Sequence, residues 1–332
     1  MTHPETLEFG MNSGKCLARA ACLAIFIVIA QIPEVGAQPS GPPTQWTEDQ
    51  IAGAVANVRA GRKLTPERWP NNSRVAVCIS FDLDNETLSL SRGDTAPGAL
   101  SAGEFGATTG LRRVLDLLDR HHIAASFYIP AVSAMLHPQM IQDIAKRNRH
   151  EIGVHGWIHE NVQEMNDSAE EERLLNQSID YLTKAVGKRP VGYRAPSWAF
   201  SHHTIGFIRR AGFLYDSSLM AMDQPYELVA NGQPTGIVEL PVDWALDDFP
   251  YFGRSGALPS PDLIFKVYQD EFDVAYEEGT MFMLTLHPHI VGHRSRIAHL
   301  DKLIDYMKSK PGVWFATAEQ IADYVKEVAK SR

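Results

Sequence analysis

Cysteine is scarce in this chain: Cys16, Cys22 and Cys78 are the only three in 332 residues. The first two fall in an N-terminal segment expected to be cleaved, which leaves one thiol and no internal disulfide. Cys78 stands in the apolar run 75–81 and reads as a buried strand residue. Basic charge is also short, with 31 Lys and Arg against 40 Asp and Glu and a formal net charge of -9. Phosphate backbones need a basic face, so nucleic acid is not an expected partner. The apolar run at residues 20–30 has 11 residues, short of the roughly 20 needed to span a bilayer. No Gly-x-Gly-x-x-Gly follows the first strand-like run and no Gly-Lys-Ser/Thr loop occurs, so dinucleotide and nucleotide phosphate sites have no support.

What is present divides into three segments. Lys15 and Arg19 precede the apolar run, and Val35-Gly36-Ala37 supplies a small-x-small cleavage site. Residues 1–37 are therefore expected to be a signal peptide. The mature protein would be periplasmic or secreted, with no stable membrane insertion. Residues 38–73, punctuated by Pro39, Pro42, Pro43, Pro66 and Pro70, read as a linker with one short helix inside 46–60. From residue 74 to the end, strand-like and helix-like patterns alternate. Strands are expected at 75–81, 125–129, 151–154, 191–193, 213–215, 237–240, 281–286 and 313–316. Helices are expected at 110–121, 138–149, 168–186, 203–211, 261–278, 295–309 and 318–328. Such alternation implies a parallel α/β sheet, open or closed into a barrel.

In parallel α/β folds chemistry gathers where strands end at their carboxyl side. The polar residues at those ends are Asp82 and Asp84, His155 and His159, Arg194, and His287. Residues two apart on an extended chain point the same way, so Asp82 and Asp84 emerge side by side. Close carboxylates repel unless a cation or proton holds them. Taken singly, an acidic turn is ordinary. In His155-Gly156-Trp157-Ile158-His159, one helical turn would bring both imidazoles to one side. Together the two sites offer a His₂Asp ligand set with a second Asp left as base toward an activated water. Spacing alone does not decide which Asp is which. Arg194 can orient a carboxylate. His287 can protonate a leaving amine, with Asp216, Asp243 and Asp248 as candidates to hold it. Trp198 and Trp244 offer apolar faces for a sugar ring.

The ordered motifs Phe-Asp-x-Asp, His-x-x-x-His, Arg-x-Pro and Leu-x-Leu-His resemble the NodB-type polysaccharide deacetylases, carbohydrate esterase family 4. Asp82-Leu83-Asp84-Asn85-Glu86-Thr87 and Leu240-Pro241-Val242-Asp243-Trp244 are similar to its peptidoglycan-deacetylase-like and allantoinase-like branch. The resemblance runs over about residues 70–328. It implies a distorted (β/α)₇ barrel and hydrolysis of an N-acetyl amide. It assigns Asp82 as base, Asp84, His155 and His159 as metal ligands, Arg194 as the residue orienting the base, and His287 as acid. The implied ion is Zn²⁺, with Co²⁺ as the alternative, and the implied partner is an N-acetylated glycan. A homo-oligomer is left open. Leu83 between the aspartates and Ser197-Trp198 after Arg-x-Pro depart from the commoner pattern. Residues 88–105 read as an insertion over the site. A cyclic imide or ureide amidohydrolase and a non-catalytic carbohydrate-binding protein are the two rival expectations.

Overall fold

The computed structural model describes residues 41–165, 167–253 and 258–331. The expected signal segment 1–37 lies outside them. Among the described residues ten strands form one sheet: β1 (Val58–Lys63), β2 (Val75–Asp82), β3 (Ser126–Ile129), β4 (Glu151–Val154), β5 (Gly192–Tyr193), β6 (Tyr215–Asp216), β7 (Tyr226–Ala230), β8 (Gln233–Glu239), β9 (Met281–Leu286) and β10 (Val313–Phe315). Seven of them run parallel in the order β9-β2-β3-β4-β5-β6-β8. The sheet curls into a barrel with two irregularities. β10 pairs with Val75–Val77 on the edge of β2 that β9 leaves open, so it wedges between β2 and β3 at their amino ends. Among the described residues no ladder joins β8 to β9, and only the parallel bridge between Asp247 and Thr285 spans that seam. This is the expected distorted (β/α)₇ architecture.

The strand β2 shows why the residues arrange so. All eight of its residues are buried, as a parallel strand covered on both faces requires. Val75, Val77, Ile79 and Phe81 face outward into the helix layer. Ala76 and Cys78 face inward, among Tyr128, Tyr215, Met281 and Met283. Each fully buried Val, Ile or Phe contributes about 1.5–3 kcal/mol. The barrel floor is closed by Ile321, Ala322 and Val325 of the C-terminal helix Ala318–Lys330. A reciprocal Thr317–Gln320 capping box starts that helix. By the same period of two, Ser80, Asp82 and Asp84 continue the inward row to the open end of the barrel.

Several elements differ from the sequence expectation. The expected linker contains a helix, Glu48–Ala56, but then β1, which pairs antiparallel with β7 and extends the main sheet. Neither strand shows strong apolar alternation, and both lie at the sheet's margin. The helix Ser168–Val186 is capped by Asp167, whose carboxylate accepts from Ala169 N–H. Glu171 in its first turn accepts from Ser201 and Thr204 hydroxyls, both at 2.6 Å. Gly187, at φ +74°, ends the helix where expected. No helix among the described residues is long and apolar enough to cross a membrane.

Candidate metal centre

Asp82 ends β2, and Asp84 follows it in the turn that leads away. Both are buried at 2% exposure, which is costly for carboxylates unless each has a partner. Asp82 has Arg194, whose Nη1 donates to Asp82 Oδ1 at 2.8 Å. The guanidinium is itself fully held. Nη1 also donates to Ser80 Oγ, Nε to the Ser217 carbonyl and Nη2 to Ser217 Oγ. The Tyr128 ring lies 4.0 Å below it. Ser218 locks the same loop by donating to Asp216 and accepting from Ala195 N–H.

Asp84 faces imidazoles. Its Oδ1 lies 3.4 Å from His155 Nε2, and its Oδ2 lies 3.4 Å from His159 Nε2 and 3.6 Å from His287 Nε2. The ligand atoms of Asp84, His155 and His159 all lie within 4.8 Å of one another. Asp84 Oδ1 is buried and has no hydrogen-bond partner among the described residues. His155 Nδ1 sits 2.8 Å from the Arg194 carbonyl, which can only accept, so Nδ1 carries the proton. In the neutral ring, Nε2 then presents a lone pair toward Asp84. Lone pairs and carboxylate oxygens converging in a buried site, one oxygen without a donor, are the donor set of a divalent cation.

The two histidines do not meet by a helical turn, as spacing suggested. Residues 155–160 form a loop with Gly156 at φ +74° and His159 at φ +64°. Glu160 pins it by accepting from Trp157 and Ile158 N–H. A Cβ on Gly156 would meet Pro196 at 2.8 Å and Glu160 at 3.0 Å, so this turn requires glycine.

Electrostatics separate the imidazoles. Burial lowers His159 to about 4, so it stays neutral. Burial pulls His155 down as well, but Asp82 and Asp84 outweigh it and raise it. Burial likewise opposes the charge on His287, yet Asp247, Asp248 and Asp84 hold it well above the usual imidazole range. For Asp84, burial is overcome by His159, His155 and His287, which keep it well below the carboxylate range.

Of the three aspartates considered for holding His287, only Asp248 does so. Its Oδ1 lies 2.7 Å from His287 Nδ1 and also accepts the His287 backbone N–H at 3.1 Å. Asp216 is engaged with Ser218, and Asp243 caps the turn Trp244–Leu246 through Ala245 N–H. Sequence reasoning missed Asp247, which lies 3.6 Å from His287 Nδ1 and lines the site. Burial raises its carboxyl to about 7, against the pull of His287. The Asp247-Asp248 doublet was a visible signal, but its loop path across the seam was not.

The carboxylates and imidazoles open into a cavity of about 460 Å³ that also includes Leu88, Arg92, Trp198, Trp244 and Phe249. The Trp198 and Trp244 rings lie 4.1 Å apart, tilted by 39°. Trp198 is 7% and Trp244 47% exposed. Ser197 and Trp198 both adopt φ 54°, a left-handed step that L-residues resist, and it turns the Trp198 ring into the cavity. Leu88 and Arg92 belong to the segment that leads away from Asp84, which contributes the short helices Thr87–Leu90 and Pro97–Phe105.

Comparison with known proteins agrees with this geometry. The profile of the polysaccharide deacetylase family matches residues 100–215. A peptidoglycan deacetylase of Helicobacter pylori is 30% identical over 279 residues, covering 75% of this chain and 94% of its own. A solved Mycobacterium smegmatis protein described as a polysaccharide deacetylase superposes with a TM-score of 0.74 at 35% identity, covering 82% of this chain and 96% of its own. The Puue allantoinase superposes with a TM-score of 0.70 at 27% identity, over 80% and 97%.

Proposed function

Because the chain belongs to the polysaccharide deacetylase family and is a hydrolase of C–N bonds, we propose that it removes N-acetyl groups from amino sugars of a polysaccharide or peptidoglycan, depends on a divalent metal, and works outside the cytoplasm after export. The observation that carries the metal dependence is the meeting of Asp84, His155 and His159 around an Asp84 oxygen that lacks any donor. These three would hold the ion. Two imidazoles and one carboxylate suit Zn²⁺, with Co²⁺ as the alternative. When bound, the ion supplies Lewis acidity toward the acetyl carbonyl and the attacking water.

The side chains supply the rest. Asp82 is the base. Arg194 fixes its Oδ1, which leaves Oδ2, 3.8 Å from His155 Nε2, to take a proton from the attacking water. Arg194 is a positioning residue, since its donors are spent on Asp82, Ser80 and Ser217. His287 stands on the other side of Asp84 and is held charged by Asp248 and Asp247. It can therefore give a proton to the departing amine. Trp198 and Trp244 take the sugar face. The amide C–N bond breaks, the carbonyl carbon gains the water oxygen, and acetate and the free amine leave.

The test is acetate release from acetylated chitooligosaccharides and peptidoglycan fragments by protein dialysed against chelator and then reloaded with Zn²⁺ or Co²⁺. Activity should vanish on chelation and return with metal. Asp84→Asn should lose both measurable Zn²⁺ binding and turnover. An Asp84→Asn protein that binds Zn²⁺ as tightly and turns over as fast rejects the assignment. A ring-opening ureide or imide hydrolase is the second reading, favoured by the superposition on an allantoinase and by the inserted segment lining the cavity. Ring opening without acetate release would establish it.

A further inference from the structure

We propose that Arg92 selects substrates that carry a carboxylate close to the N-acyl group. The proposal rests on the deacylase reading of the same site. The cavity wall holds three carboxylates, Asp82, Asp84 and Asp247, and Arg92 is the one Lys or Arg among its lining residues. Each carboxylate is already turned toward groups other than Arg92. Asp82 takes Arg194, Asp84 faces three imidazoles, and Asp247 accepts Phe249 N–H and lies beside His287. The Arg92 guanidinium makes no hydrogen bond or ion pair among the described residues. An exposed arginine elsewhere on the surface would need no explanation. This one borders the cavity that holds the reactive groups, and its five donors are unspent.

Its reach is fixed by the fold. The segment bearing Arg92 starts at Asp84 itself, whose carbonyl accepts from Thr87 N–H at 2.9 Å and Thr87 Oγ1 at 2.5 Å. The turn continues through Ser91 N–H to the Thr87 carbonyl. It stops at Gly93, at φ +73°. From the other side, the helix Pro97–Phe105 presses on the same turn, since a Cβ on Gly103 would lie 2.2 Å from Glu86 N. Arg92 is thus carried on a tether anchored at the backbone carbonyl of Asp84, the residue whose carboxylate faces the imidazoles. A planar guanidinium pairs with a carboxylate through two parallel hydrogen bonds, a match that an ammonium does not reproduce. An acidic acetamido sugar and a small N-acylated acid both carry this group, and the carboxylate is the chemistry common to them.

Calorimetric titration of the full, metal-loaded chain tests this with three probes: N-acetylglucosamine, N-acetylmuramic acid, which adds a carboxylate to the same ring, and N-acetylglycine, which has a carboxylate and no ring. Wild-type protein should bind N-acetylmuramic acid at least ten-fold more tightly than N-acetylglucosamine. Arg92→Met should bring that ratio close to one, and Arg92→Lys should leave an intermediate ratio. A gain with N-acetylglycine that equals the sugar acid's and depends on Arg92 identifies a small acyl acid as the source. A gain confined to N-acetylmuramic acid identifies a sugar acid. If neither acid shows an Arg92-dependent gain, the proposal is overturned. If the dependence holds while no glycan yields acetate, the deacetylase reading fails and the carboxylate site stands. Unchanged melting of both variants serves as the folding control.

Discussion

His287 is held through its ring and its backbone by one carboxylate, Asp248, and this double hold makes a sharp test at the scale of single residues. Asp248→Asn keeps a similar shape but removes the charge that keeps the ring protonated and oriented. Turnover should fall by roughly 10²–10⁴-fold, the range for lost general acid–base catalysis. The KM should change far less, which steady-state kinetics on an acetylated oligosaccharide would show. Arg194 is a harsher site. It is fully buried with Asp82, so Arg194→Met leaves a buried carboxylate alone, at a cost of about 3–5 kcal/mol. Denaturant melts should show that loss alongside the loss of activity. Asp82, His155, Arg194 and His287 were legible in sequence because each ends a strand or directly follows one, and the strand period alone turns Asp82 and Asp84 inward. Asp247 was not legible, because a loop and not a strand carries it to His287. Nor was the choice of Asp248 over Asp216 and Asp243, since sequence spacing says nothing about which loop crosses the seam.

Between elements, two close contacts carry consequences. Gly103 sits where the helix Pro97–Phe105 touches the backbone of Asn85 and Glu86 with no room for a methyl group. Gly103→Ala should cost about 1–3 kcal/mol by overpacking. It should also displace the turn that begins at Asp84, and paired measurement of thermal stability and Zn²⁺ affinity would register both. The second contact joins β6 and β8, where Asp216 and Glu239 are register neighbours and both fully buried. Burial raises Asp216 to about 6 and lifts Glu239 well above the carboxylate range. The two carboxyl groups are hydrogen-bonded to each other, which requires a proton between them, and Glu239 is the donor. The folded state therefore keeps protons that the unfolded chain releases from about pH 4 upward. Stability from this pair is greatest on the acid side and declines as pH rises through about 6 and beyond. Glu239→Gln supplies a permanent N–H donor there, and urea melts between pH 5 and 8 should show a shallower decline than wild type. At this scale the helices were read well from their spacing. The marginal strands β1 and β7 were not, because tertiary pairing rather than apolar pattern makes them strands.

For the whole molecule, the proposed metal centre joins the carboxyl ends of β2 and β4 with the loops that follow them. An ion bound only by the folded chain should stabilise all of it. At a free concentration 100 times Kd the gain is about 2.7 kcal/mol. Chelation should then lower Tm by several degrees, at roughly 2–4 °C per kcal/mol for a domain of this class. Calorimetric scans with chelator and with added Zn²⁺ check this, and equal Tm values in both would contradict it. The alternating plan of the barrel was legible from the order of strands and helices. Its irregular closure was not, since β10 wedging beside β2 and the gap between β8 and β9 arise from packing that no local pattern encodes.

The single Asp247–Thr285 bridge across that gap has a further implication. The residues proposed to hold the ion ride on the turn after β2 and on the loop after β4, whereas the anchor of the proposed proton donor rides on the crossing that follows β8. A change of length in that crossing would re-aim the donor toward a different leaving group and leave the ligand cluster untouched. One scaffold could in this way diversify the amides it opens without rebuilding its inorganic chemistry.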